Sequence, residues 1–234
     1  ESSAQTIDAN SPAATTSVSA PTGTYKIGQT ITVTITASET GLTCSACTMN
    51  SGTLTSFTDN SDNTYTGTYT VVEGQTDRAA SASDFISIVL SDSAGNTNAA
   101  FTTLTESGGA VVIDANSPAA TTSVTGTSDS LGVGDTITLT IVASETGLTW
   151  SACTMNSGTL TSFQSAGGNS YSAVYTVVEG QTDRNAAASN FISIVLSDAA
   201  GNTNAAFTTL TENGGAITID ANTPSITSAT VSAG

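Results

Sequence analysis

A repeat without gaps limits what this 234-residue chain can fold into. The hexapeptide IDANSP at Ile7–Pro12 returns at Ile113–Pro118, and IDANTP stands at Ile219–Pro224. Shifted by 106 positions, the sequence overlays itself, with Glu39 on Glu145, Asp77 on Asp183, Asp92 on Asp198 and Asn96 on Asn202. About 29 of the 106 positions differ, clustered in 19–27 and 58–62, as in loops, which tolerate change. The period exceeds the ~20–50 residues of a solenoid unit and suits an independently folding all-β domain of ~100 residues. The chain therefore holds two whole domains in tandem.

Within one repeat the strands follow from period-two alternation and turn residues. Expected strands are Thr15–Ser19, Thr30–Ala37, Leu42–Thr48, Thr53–Phe57, Thr64–Val72, Phe85–Leu90, and a last one from Ala99–Leu104 through Ala110–Ile113. FISIVL (Phe85–Leu90) is apolar on both faces, which marks a central strand. Seven strands and no helical periodicity predict an all-β fold of two tandem Ig-like seven-stranded β-sandwiches joined by a short linker.

Charge narrows the partners. There are 19 acids against three bases and no histidine, a net charge of −16. Such a chain repels nucleic acid, which is bound through Lys and Arg, and anionic membrane surfaces. It attracts cations, and calcium takes carboxylate and carbonyl oxygens. No apolar run approaches the ~20 residues of a membrane-spanning helix, so membrane insertion is not expected. Ser and Thr make up about a third of the chain, but Thr alternates with Val and Ile in strand-like runs, which argues against a disordered stalk.

The IDANSP motif falls between the last strand of one sandwich and the first of the next. Pro12 and Pro118 cannot donate to a ladder and hold the preceding residue extended, so the joint is short and stiff. The expected layout is 1–11 as the end of a preceding repeat or linker, 12–113 as repeat 1, 114–117 as linker and 118–219 as repeat 2. Residues 220–234 are then linker plus the first strand of a third repeat. With no initiator Met and no signal-peptide pattern, the expectation is a mature chain or excised piece of a longer array.

These segments carry a resemblance. TYKIGQTITVTI (Thr24–Ile35), VVEGQTD (Val71–Asp77), FISIVLSDSAGNTN (Phe85–Asn98) and VVIDANSP (Val111–Pro118), with their counterparts in repeat 2, resemble bacterial Ig-like tandem repeat domains of large repetitive cell-surface proteins, of the RTX-type adhesin extender kind. The resemblance implies an extracellular, cell-surface structural module that holds a binding tip away from the cell, with calcium stiffening the array and neighbouring repeats of the same chain as its partners.

Ig strand order decides which acids meet at a joint. Glu73, Asp77, Asp114, Asn116, Glu145, Asp198 and Asn202 are the candidate ligands of a calcium between the repeats. Equivalent half-sites are Asp8, Asn10, Glu39, Asp92 and Asn96 at one end, and Glu179, Asp183, Asp220 and Asn222 at the other. The competing reading is structural: Asp92-Ser-Ala-Gly-Asn96 is also an ordinary turn, and Asp114 and Asn116 can bond their own backbone.

Arg78 and Arg184 each follow an Asp, and Arg78 is expected to pin its loop by an ion pair with Asp77 or Glu73. Cys44, Cys47 and Cys153 are expected as packed, unpaired thiols. In a strand, residues three apart lie ~10 Å apart and face opposite ways, so a Cys44–Cys47 bridge needs a turn. Without histidine the common nucleophilic triads cannot form, and no enzyme is expected. The rival functions are a subunit of a surface layer or filament assembled from copies of the chain, with Ser225–Gly234 available to pair with a neighbour's sheet, and a module binding carbohydrate or ice. The first of those ligands needs exposed aromatics, for which Trp150, Tyr65, Tyr69, Tyr171 and Tyr175 are the candidates. The second needs a regular Thr array across several strands.

Overall fold

Alternate burial places the strands. In Thr30–Thr36 the side chains of Ile31, Val33 and Ile35 are buried, while the threonines between them are exposed or half-buried. The computed structural model describes residues 7–12, 17–80, 85–106, 108–118, 121, 123–127, 129–185 and 191–232, and contains no helix among them. It divides into two units, residues 1–116 and 117–234. Unit 1 carries β1 (Ser17–Ala20), β2 (Gly23–Lys26), β3 (Thr30–Thr36), β4 (Thr43–Met49), β5 (Gly52–Thr53), β6 (Thr55–Asp59), β7 (Thr64–Thr70), β8 (Ile86–Ser91), β9 (Thr105–Glu106) and β10 (Val111–Asp114). Unit 2 carries β11 (Ser123–Thr127), β12 (Ser130–Leu131), β13 (Thr136–Val142), β14 (Thr149–Met155), β15 (Gly158–Thr159), β16 (Thr161–Gly167), β17 (Ser170–Thr176), β18 (Ile192–Ser197), β19 (Thr211–Asn213) and β20 (Thr218–Ile219).

Each unit is a sandwich. In unit 1 a sheet ordered β6-β7-β3-β1-β9 faces a sheet ordered β5-β4-β8, with β2 and β10 paired apart. Unit 2 repeats the arrangement as β16-β17-β13-β11-β19, β15-β14-β18 and β12-β20. The first strands pair parallel with the last, β1 with β9 and β2 with β10. Between the sheets of unit 1 lie Val18, Ile31, Val33, Ile35, Met49, Tyr65, Tyr69, Ile86, Ile88 and Leu90, all 2% exposed or less.

Several expectations need correction. FISIVL is not a central strand: β8 ends the order β5-β4-β8 and, among the described residues, has only isolated bridges to Phe101 and Thr97 on its outer side. Gly23–Lys26 forms β2, a strand not expected from its Gly-Thr-Tyr-Lys sequence, because β10 lies beside it and supplies a ladder. The stretch Ala99–Leu104 is no continuous strand: Phe101 alone bridges to Ile88. Asn98 takes the place of strand pairing, accepting from Leu90 N at 2.5 Å and donating to Ile88 O at 3.3 Å. Of the expected first strand, Thr15 and Thr16 lie outside the described residues. Of 220–234, residues 220–232 carry no strand, since a strand needs a neighbour to pair with, and 233–234 lie outside the described residues.

The hairpin between β4 and β5 has two central residues at positive φ, Asn50 (49°) and Ser51 (63°), the left-handed pair that suits the twist of its strands. Asn50 is buried and donates to Tyr69 Oη at 3.2 Å and Thr76 O at 2.8 Å, so the turn also holds the following loop.

A three-way volume exchange relates the two cores. Unit 1 has Ala20, Val33 and Val111 where unit 2 has Gly126, Leu139 and Ile217. A Cβ on Gly126 meets Ile217 Cδ1 at 2.9 Å and Leu139 Cδ2 at 3.2 Å. The two larger side chains occupy the volume that a methyl group occupies in the other copy.

On the outer face of unit 1 the register aligns hydroxyls. Thr58, Thr66, Thr34, Ser19 and Thr105 form one row across five strands, and Thr30/Thr70, Thr32/Thr68 and Thr36/Thr64 are directly opposed. In unit 2 the rows are interrupted by Val142, opposite Ser170, and by Val174, opposite Thr138.

Gly126→Ala is expected to destabilise unit 2 by about 1–3 kcal/mol through overpacking. Adding Leu139→Val and Ile217→Val should recover most of that loss. Urea unfolding followed by Trp150, the sole tryptophan, measures it.

Candidate functional site

The end at which the chain leaves each unit is built around one aspartate. Asp77 Oδ1 accepts from Ala115 N at 2.8 Å and from Asn116 Nδ2 at 2.7 Å. Asn116 Nδ2 also donates to Gln75 O at 3.2 Å, and Asn116 N to Asp114 Oδ1 at 3.4 Å. Unit 2 repeats the corner: Asp183 Oδ1 accepts from Ala221 N and Asn222 Nδ2, both at 2.8 Å, and Asp220 Oδ1 accepts from Asn222 N at 3.2 Å. There Glu179 also accepts from Thr223 N, at 3.1 and 3.2 Å to its two oxygens. Glu73, the counterpart of Glu179, is exposed at the same end of unit 1.

At the opposite end the turn Asp92–Asn96 closes on itself. Asp92 Oδ1 accepts from Ala94 N and Asn96 N, both at 2.9 Å, and Asp92 Oδ2 from Asn96 Nδ2 at 2.9 Å. These bonds, that of the Asn96 side chain foremost, hold the Asp92 carboxyl below its usual range. Asn96 Nδ2 also reaches Asp8 O at 3.3 Å, and Asp8 Oδ1 accepts from Asn10 N at 3.1 Å. In unit 2 Asp198 Oδ1 accepts from Gly201 N at 2.7 Å and Asn202 N at 2.9 Å. The loops bearing Glu39 and Glu145 are fixed by tyrosines: Tyr65 Oη donates to Glu39 O at 2.8 Å, and Tyr171 Oη to Glu145 O at 3.3 Å. The structure thus brings together Asp77, Asp114 and Asn116; Asp8, Asn10, Asp92 and Asn96; and Glu179, Asp183, Asp220 and Asn222. Among the described residues no three Asp, Glu or Cys side chains gather as a ready-made metal cage.

The arginines do not pair as expected. Arg78 Nη1 meets Glu106 Oε1 at 2.7 Å, not Asp77 or Glu73, and it also donates to Val111 O. Its guanidinium carbon stands 3.7 Å from the centroid of the Phe85 ring. Asp77 faces the joint, and the Arg78 side chain turns inward to 5% exposure. A charge taken from water needs a countercharge, and Glu106, at the end of β9, supplies it. Val111 N–H and Arg78 hold the Glu106 carboxyl below its ordinary range. Arg184 repeats the set with Glu212 at 2.7 Å, Ile217 O and Phe191. Arg78 also exchanges both backbone hydrogen bonds with Ile113, and so anchors the strand that leads into the joint. Residues 81–84 of that loop lie outside the described residues.

The profile for the bacterial Ig-like domain matches residues 8–107 and again 114–219, most of the chain. The chain belongs to that family. Structures similar to it include tandem Ig repeats of Dlar (13% identity, 84% of this chain and 97% of that one, TM-score 0.22) and a chimeric titin Z1Z2 carrying a decorin peptide (15%, 88% and 99%, TM-score 0.23). Another is the I9–I11 tandem of titin (11%, 83% and 66%, TM-score 0.26). No curated protein matches the sequence. The bacterial Ig-like domain is a structural repeat module, and such domains commonly occur in surface or extracellular proteins.

Within the first Ig-like domain the cysteines overturn the expectation of free thiols. Cys44 and Cys47 form a disulfide with a Cα–Cα distance of 5.9 Å. A β-bulge between Cys44 and Ala46 shortens the strand and turns both side chains the same way. The second Ig-like domain has the same bulge between Trp150 and Ala152, with no cysteine partner for Cys153. The bulge therefore belongs to the fold, and the disulfide makes use of it. Cys153 is buried, which pushes its thiol above the usual range and keeps it protonated.

Buried and half-buried amides that no strand or turn pattern marks hold the loops. Gln75 Oε1 accepts from Val72 N at 2.9 Å and from Tyr69 Oη, while Asn50 and Asn98 brace turns from within. Their exact recurrence as Gln181, Asn156 and Asn204 was the available signal.

Three outcomes follow from these contacts. Glu106→Ala should cost unit 1 about 2–3 kcal/mol, less than a fully dry pair because Glu106 keeps some water, read by denaturant unfolding. Because the Glu106 and Asp92 carboxyls are depressed, their stabilisation is complete above the ordinary carboxylate range. It is lost as pH falls below the ordinary values, 4.5 for Glu106 and 3.8 for Asp92, and through their lower folded values, and Glu106→Gln should flatten the Glu106 part of that loss in a pH series of melts. Trp150→Cys should form a bridge to Cys153 on mild oxidation, seen as the loss of two hydrogens by mass spectrometry.

Proposed function

We propose that the chain is an extender segment of an extracellular, cell-surface adhesin, stiffened by calcium at its inter-repeat joints. The observation that supports this reading is the tie between each joint and the sandwich before it. Two bonds to Asp77 fix Ala115 and Asn116, and two bonds to Asp183 fix Ala221 and Asn222. A module whose exit direction is set by its own corner passes that direction to whatever follows, as a spacer requires.

The donor chemistry fits the ion. Asp77, Asp114, Asn116 and Glu73 at one end, and Asp8, Asn10, Glu39, Asp92 and Asn96 at the other, offer carboxylate, amide and carbonyl oxygens with neither imidazole nor thiolate, which is the hard set calcium takes. Glu145, Asp198 and Asn202, and Glu179, Asp183, Asp220 and Asn222, are their equivalents in repeat 2. Bound calcium supplies the positive charge that offsets repulsion among these acids. No catalytic role is assigned.

Small-angle scattering in calcium and then in excess chelator, with thermal melts alongside, tests the proposal. Rigid scattering that loosens on chelation, with a lowered melting temperature, is the expected result, and Asp77→Ala should loosen the joint even in calcium. Unchanged curves remove calcium from the reading. Calcium-driven association that grows with protein concentration favours a surface-layer or filament subunit instead.

A further inference from the structure

The two Ig-like domains differ most in chemistry at a hollow on the flank of unit 2, between β14 and β16. It has a volume of about 610 Å³ and is lined by Gly147, Leu148, Thr149, Trp150, Phe163, Gln164, Ser165 and Tyr171. Trp150 and Phe163 are half-buried, with ring centroids 5.9 Å apart, and Phe163 stacks on buried Tyr171 at 5.1 Å. The tryptophan is thus held from behind by a second and third ring. Around this plate stand exposed Thr149, Gln164 and Ser165, and no charged side chain lines the hollow.

The same place in unit 1 is tied across. Asp59 Oδ2 accepts from Gly41 N at 2.7 Å, joining the loop before β4 to the end of β6. Ser165, a shorter side chain, stands at the position of Asp59, and Gln164 at that of Thr58. Cys44, the counterpart of Trp150, is drawn back into its disulfide. Unit 2 therefore exchanges a closing carboxylate and a bridged cysteine for an aromatic platform and neutral hydrogen-bonding groups.

We propose that this hollow is a binding site for a neutral pyranose unit of a glycan. An aromatic face presents a negative π-surface to the slightly positive C–H face of a sugar ring. The amide of Gln164 both donates and accepts, the Thr149 hydroxyl, whose proton goes to Ser197 O at 3.3 Å, still accepts, and the Ser165 hydroxyl, which accepts from Gly167 N at 3.4 Å, still donates, as the ring's hydroxyls require. The volume falls within the range of small-molecule sites, and convergent polar groups beside an aromatic wall are what such sites use for orientation. The absence of any lining charge, in a chain of net charge −16, selects against acidic sugars. The hollow borders the Glu145 loop, which Tyr171 Oη holds through Glu145 O at 3.3 Å, but Trp150, Phe163, Gln164 and Ser165 are not among the calcium candidates, so the two readings are tested separately.

Trp150 is the sole tryptophan, so the site carries its own reporter. The full chain is titrated with neutral hexasaccharides (cellohexaose, maltohexaose, mannohexaose, xylohexaose and chitohexaose), following Trp150 emission and heat of binding. At least one is expected to shift the emission saturably. Trp150→Ala should weaken binding by calorimetry about tenfold or more, the worth of an aromatic contact. Ser165→Asp, which restores the residue of unit 1 and keeps the reporter, should abolish the response while the melting temperature stays level or rises. The proposal fails if no sugar gives a saturable response, if binding survives both substitutions, or if poly-L-proline binds at Trp150 and none of the sugars does.

Discussion

One buried guanidinium organises the outgoing end of each domain. Arg78 links three separate pieces of chain: Glu106 at β9, β10 through Val111 O and the backbone of Ile113, and Phe85 before β8. The corner that fixes Ala115 and Asn116 lies one residue away, on Asp77. Removing the cation would leave Glu106 partly buried without its countercharge and release the strand that leads to the joint. The choice of arginine follows from geometry, because a planar fork can serve a carboxylate and a carbonyl while its face lies on a ring. Two of the three bases are spent in this way, so only Lys26 remains to offset 19 acids. The excess of acids makes the surface acidic, and burial of the two arginines deepens it.

Comparison of the copies separates what the fold fixes from what it leaves open. Arg78, Glu106, Asp77, Asp114, Asn116, Asp92 and Asn96 all recur. The differences fall instead in the β1–β2 region, in the core triad Ala20, Val33 and Val111, and along the flank from Thr58 to Asp62. Core changes compensate one another in volume, as close packing demands. Flank changes do not compensate: Trp150 for Cys44 and Ser165 for Asp59 alter the chemistry presented to solvent. The ends are kept and the sides diverge.

Much of the fold was legible because alternation is a local signal. β3, β7 and β8 could be bounded to within about two residues from Thr/Ile, Thr/Tyr and Ile/Val patterns alone. Features that depend on distant partners were not legible. β2 exists because β10 reaches it, Asn98 replaces a strand pairing with a side chain, and a bulge in β4 overrides the opposite-face rule for Cys44 and Cys47. Arg78 met Glu106, 28 residues away in sequence, and not its neighbour Asp77. For the candidate site, the residue types and ends could be read. Which oxygen accepts from which N–H required coordinates.

The parallel pairing of first and last strands has a mechanical consequence. In β2 and β10, Gly23 to Lys26 register with Val111 to Asp114 in the same direction, and β12 and β20 repeat this in the second domain. Tension drawn through the two ends of a domain pulls such partners past each other along their length. The load is then shared by every hydrogen bond of the pair, with none peeled away in turn. The Arg78 contacts with Val111 and Ile113 sit on the same strand and must give way with it. Each domain would yield to stretching as a single latch, at a force set by the whole set of bonds.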